Sequence, residues 1–210
     1  MGLLSSLLGK TKPVQSNLDA LFALPSASIT LQSAAGMSCS GHAGVCFKPP
    51  SGQGFEEMQA EVVSLLSMDG TGGLRQQADS YGYQWLVVED TDIEQLVTRI
   101  HLVNSSLSDS GWGPQLLCSV FGLAALPPAA PSEEASDALP EITAGPGHLL
   151  TSTAFLVYLF KRGTFYPFVP QGHERRDTEE ELKLKSLVAD DLTVETDLDR
   201  WFPLWDLPVG

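Results

Sequence analysis

Three residues near the start of the chain have types that can do chemistry: Cys39, His42 and Cys46, in the pattern C-x2-H-x3-C. Thiolate and imidazole are zinc ligands, and a closed structural site needs four of them. His101, Cys118 and His173 are the candidates for a fourth, although no spacing demands any of them. The same cluster could serve thiol catalysis, in which a cysteine needs a base within hydrogen-bond reach and a third group to orient that base. On an extended strand His42 and Cys46 share a face, but at about 3.3 Å per residue they stand more than ~10 Å apart, and only a bend would join them. The plain alternative is a pair of small buried thiols in a Gly-rich hairpin. Other catalytic signatures are missing: the chain has no G-x-S-x-G, H-E-x-x-H, Walker or G-x-G-x-x-G pattern. The GTGG at 70–73 comes after a helical pattern, whereas a phosphate loop comes after a strand and opens a helix. The expectation is a protein with no catalytic residue, metal or cofactor, and the alternative is a small metal- or thiol-dependent protein using Cys39, His42 and Cys46.

Charge supplies the second candidate. The 210 residues hold 12 Lys and Arg against 26 Asp and Glu, a formal charge of −14. Charged residues are only 18% of the chain, so it is acidic because bases are scarce. Such a chain repels the phosphate backbone, which argues against nucleic acid as a partner. Residues 148–176 are the most basic stretch, with 4 bases and 1 acid. This island of Lys161, Arg162, Arg175 and Arg176 is the expected partner-binding surface, suited to an acidic protein face. The competing reading pairs it internally with the acidic 177–199 region. A weaker candidate is residues 1–12, where Leu3, Leu4, Leu7 and Leu8 precede Lys10 and Lys12. That small amphipathic stripe suits weak contact with a membrane surface, or is a frayed terminus.

Local patterns predict the elements that must position these groups. Ser16 to Leu24 is a short helix stopped by Pro25. Ile29 and Leu31 alternate, as do Val45 and Phe47, and suggest a strand pair around a Gly/Ser-rich stretch. Gly54 to Met68 keeps 3–4 apolar spacing and reads as a helix. Tyr81 to Val88 is a strand. Thr91 to Glu94 is a capping box that opens a helix with Ile93, Leu96, Val97, Ile100 and Val103 on one face. Gln115 to Leu123 is a buried strand. Ala154 to Phe160 and Thr164 to Val169 form a hairpin, with Gly163 supplying a positive φ at its turn. Asp177 to Glu180 opens a last helix carrying Leu182, Leu184 and Leu187. The aromatic tail, with Trp201, Phe202 and Trp205, closes the core or fills a partner groove. The stretch 126–147 is rich in Pro, Ala, Ser and Glu and is expected as a flexible loop.

This order predicts an α+β fold with a mainly antiparallel sheet and helices packed on one side. With the second helix taken as an insertion, it resembles the secretion-chaperone-like fold in element order. One domain is expected over 13–210, after a flexible or amphipathic segment at 1–12. Three cysteines make no even disulfide framework and suggest a reducing compartment. With no leader pattern and no stretch of about 20 apolar residues, the expected location is the cytoplasm, with residues 1–12 able to touch the inner face of the cell membrane.

Seven stretches resemble the PspAB family of actinobacterial phage-shock-type accessory proteins. They are LFALPSASITLQ (21–32), GHAGVCFKP (41–49), DSYGYQWLVVED (79–90), LVTRIHLVNSSLSDSGWGPQLLC (96–118), LVYLFKRGTFYPFVP (156–170), RRDTEEEL (175–182) and DRWFPLWDLP (199–208). The resemblance implies a non-catalytic role in an envelope-stress response, through contact with a phage-shock-protein-A-like partner. It brings no catalytic residue and no cofactor.

Overall fold

The computed structural model describes residues 16–48, 74–126 and 153–209, together with Ala60 and Ser64. The expected amphipathic start (1–12), almost all of the expected helix at 54–68 and the expected loop beyond Leu126 lie outside these residues.

Six strands make one antiparallel sheet: β1 (Met37–Phe47), β2 (Leu74–Ala78), β3 (Gln84–Glu89), β4 (Leu116–Ala125), β5 (Ala154–Leu159) and β6 (Thr164–Phe168). Their spatial order is β2-β3-β1-β4-β5-β6, and every neighbouring pair is antiparallel. Among the described residues there are three α-helices: α1 (Leu24–Ala35), α2 (Ile93–Leu107) and α3 (Thr178–Val188). The fold is therefore α+β, as the element order implies.

The sheet has two differently covered faces. The helices cover one. Leu24, Ala27 and Leu31 of α1, Leu96, Ile100 and Val103 of α2, and Leu184 and Val188 of α3 meet Val45, Val88, Phe121 and Leu156 from the strands. Burying each large aliphatic side chain contributes about 1.5–3 kcal/mol. Asn104 ties α2 to β4 through that core, donating to Ser119 Oγ at 2.9 Å. The chain after α3 covers the other face, where Trp201 and Val209 pack on Trp85, Val87, Val120 and Tyr166.

Two local expectations fail for physical reasons. Pro25 does not stop a helix: it occupies the first turn of α1, where a missing N–H costs nothing. The residues before it form a 3-10 turn, Leu18–Ala23, and Ile29 and Leu31 belong to α1 rather than to a strand. Their apparent alternation is one turn of a helix that buries Leu31 and leaves Ile29 exposed. Gly36, at φ 62°, ends that helix in the left-handed conformation that suits glycine. Strand β3 begins at Gln84, not Tyr81, because Gly82 at φ 84° makes a turn back from β2. That edge strand, LRQQA, has no alternating apolar pattern and so no strand signal of its own.

The other described elements form close to where the pattern puts them, with the α2 cap at Asp92 instead of Thr91. Asp92 Oδ1 caps α2 by accepting the Glu94 N–H at 2.8 Å, and Asp177 Oδ1 caps α3 by accepting the Glu180 N–H at 3.0 Å. Gly163 sits at φ 67° in the β5–β6 turn. No helix among the described residues is long and apolar enough to cross a membrane.

Candidate functional site

The thiol cluster read from the sequence is divided by the sheet. Cys39 packs against the helix-side core, while Cys46 belongs to the opposite face. A bulge separates them: Cys39 pairs with Leu123 and Ala43 with Phe121, so β1 carries two extra residues there. His42 sits at the end of that bulge with Nδ1 3.1 Å from the Ser40 carbonyl oxygen and Nε2 4.0 Å from Glu89 Oε1. Burial pushes the Cys39 thiol up, partly offset by a hydrogen bond from the Gly41 backbone. Among the described residues no group of three or more His, Cys, Asp or Glu gathers closely enough to hold a metal ion. Cys46 instead faces Cys118, its direct partner across β1 and β4. Its hydrogen bond with Cys118, then burial, pushes the Cys46 thiol far above the ordinary cysteine value. A protonated thiol is a small apolar group rather than a nucleophile.

The basic island is divided as well. Lys161 and Arg162 occupy the β5–β6 turn, and Arg175 and Arg176 lie beyond the far end of β6. Five residues of strand, about 17 Å at ~3.4 Å each, lie between the two pairs. Arg176 is turned inward. Its Nε meets both Glu181 oxygens, at 2.9 and 2.8 Å, and one terminal nitrogen donates to the Trp201 carbonyl at 2.6 Å. Glu181 also accepts the Val169 N–H at 2.9 Å, so one buried carboxylate joins β6, α3 and the tail. Arg162 lies on buried Glu195, which also accepts from Thr164 Oγ1 at 3.1 Å. Burial pushes the Glu195 carboxyl up, but the Asp197 N–H, Arg162 and Thr164 outweigh it and hold the group below its ordinary value. Lys161 and Arg175 are exposed, and among the described residues neither has an ion-pair partner.

A concavity on this side lies between the sheet and the tail. It is a trough of about 600 Å³, within the usual range of ligand sites, roughly 300–1,000 Å³. Its floor is a single cross-strand row. Trp85 pairs with Cys46, Cys46 with Cys118, and Cys118 with Leu159. Phe202, Leu204 and Trp205 form the cover. The Tyr166 hydroxyl fixes that cover by donating to the Phe202 carbonyl at 2.7 Å, and its ring stacks on Trp201 at 5.8 Å. Trp201 Nε1 donates to the Glu195 carbonyl at 3.1 Å.

The two ends of the trough differ in charge. At the β2–β3 end Asp79 is fully engaged, accepting the Tyr81 and Tyr83 N–H groups and Trp85 Nε1. At the β5–β6 end stand Lys161, Arg162 and Arg200. Arg162 and Arg200 share Glu195, and Arg200 also reaches Asp197 at 3.4 Å. Lys161 is the cation left over.

Fold and site together define an α+β protein with a helix-covered core on one sheet face and a tail-covered apolar trough on the other. The chain belongs to the PspAB family: it matches the family described as PspA associated protein B over residues 1–209. No curated protein and no solved structure matches it.

Sequence reasoning placed Lys161 and Arg162 but missed the trough, Arg200 and the role of Trp85. A usable signal was present. Runs such as WLVV in β3 and AFLVY in β5 are apolar at consecutive positions, so both faces of those strands need cover. Helices on one side alone could not supply it.

Proposed function

We propose that this chain is a non-catalytic accessory protein of a phage-shock-type envelope-stress response, acting in the cytoplasm by direct contact with a phage-shock-protein-A-like partner. The observation that carries the reading is the family match across residues 1–209, whose description names association with PspA. The high proton affinity of Cys46 and the separation of Cys39 from it also favour a binding role over thiol chemistry. Exposed Lys161 and Arg175 are the contact cations; Arg162 and Arg176 are left out because Glu195 engages the first and Glu181 with the Trp201 carbonyl engages the second.

The test is a binding titration of the purified chain against the purified PspA homologue of the same cell. A complex is expected, weakened at least tenfold by the double charge reversal K161E/R175E at unchanged melting temperature. No complex with the wild-type chain, or full binding by the double variant, overturns the respective part of the reading.

A further inference from the structure

We propose that the trough under the tail is a binding site for a single-chain anionic amphiphile, a free fatty acid, with its alkyl chain along the floor and its carboxylate at Lys161. The inference rests on the trough alone and does not require the partner proposed above.

The dimensions select the class of occupant. From Trp85 to Leu159 the floor crosses three strand spacings of about 4.8 Å, so it is about 14 Å long. An extended alkyl chain fits lengthwise along that floor in a trough of about 600 Å³. The surroundings suit it: an indole, two thiols and a leucine below, and Phe202, Leu204 and Trp205 above. Cys46 and Cys118 satisfy one another by hydrogen bonding, so the middle of the floor presents no charge.

Charge sets the direction. The Asp79 carboxylate is spent on two backbone N–H groups and the Trp85 indole, and that end holds no cation among the lining residues. The other end holds three cations around Glu195 and Asp197, and Lys161 lies outside those pairs. The net charge of −14 opposes any anion at long range. At physiological salt that field is screened beyond about 8 Å, so the groups at the mouth decide. Phe202, 56% exposed although it lines the site, is the cover residue placed to settle onto a bound chain.

The experiment titrates the full-length protein with dodecanoate and, separately, with dodecanol, below their aggregation concentrations, and reads calorimetry and tryptophan fluorescence. A third arm offers phosphatidylglycerol vesicles. One dodecanoate per chain is expected, bound at least tenfold more tightly than dodecanol. Lys161→Glu is expected to remove that preference while leaving dodecanol affinity unchanged. Leu159→Trp, which fills the cationic end, is expected to weaken both ligands at least tenfold. A wild-type protein that ignores dodecanoate, a Lys161→Glu variant that binds it normally, or binding confined to the vesicles overturns the proposal. So does a concentration-dependent dimer that excludes dodecanoate, because the trough would then be an interface between copies.

Discussion

The two faces of the sheet are built from similar strand residues but covered by different means. On the helix side, α1, α2 and α3 bring apolar stripes that interdigitate with the strands, and Leu31, Val45, Ile100 and Leu184 have no exposed surface. On the other side the cover is the chain after α3, with only a 3-10 turn, Leu198–Arg200, in its path. It cannot supply a continuous apolar stripe. It is held at discrete points instead: Arg176 on the Trp201 carbonyl, Tyr166 on the Phe202 carbonyl, and the Tyr166–Trp201 stack. A face covered by helices becomes a filled core, whereas a face covered by an irregular strap keeps a trough. Room for a ligand thus arises where packing is pinned by a few polar contacts.

The contrast can be broken by substitution. Ile100→Ala, in the helix-side core, should cost about 4 kcal/mol, within the range for buried aliphatic truncation, as read by denaturant unfolding. Arg176→Ala should cost about 3 kcal/mol, since it strands Glu181 as an uncompensated buried charge and frees the tail. Its unfolding should be accompanied by faster limited proteolysis after residue 195. Gly44→Ala should cost about 2 kcal/mol by overpacking, because a Cβ there would lie 2.9 Å from Val209 and 3.3 Å from Trp85.

The smaller effects sharpen the comparison. Glu195 has a lowered folded pKa, so its stabilisation is complete above the ordinary glutamate value of about 4.3 and is lost as pH falls through the folded value. Glu195→Gln should therefore destabilise at pH 7 and show a weaker loss of melting temperature between pH 5 and pH 3 than the wild type. Phe202→Ala should stay within about 0.5 kcal/mol, since the ring is 56% exposed. A cost near that of Ile100→Ala would show that the strap is a packed core like the opposite face.

Legibility tracked the locality of the signal. The α3 cap at Asp177 and the glycine of the β5–β6 turn are encoded within a few residues, and each formed where the pattern put it, while the α2 cap formed one residue along, at Asp92 rather than Thr91. The α1 region misled because a proline is compatible with either end of a helix: Pro25 can stop the turn before it or open the helix after it. The thiol cluster failed on alternation: Cys39 and Cys46 stand seven positions apart on β1, an odd offset that puts them on opposite faces of the sheet, and the two-residue bulge between them keeps that parity.

The sequence by itself determined the class of fold, the strand and helix identities with strong local signals, the family and the scarcity of bases. These depend on residue type and short spacing. Tertiary structure alone decided that Cys46 meets Cys118 rather than Cys39, because cross-strand register joins residues 72 positions apart. It also decided which bases are free. Arg162 and Arg176 lie beside Lys161 and Arg175 in the chain, but Glu195 and Glu181, brought in by the folded acidic segment, engage the first two and leave the others in solvent.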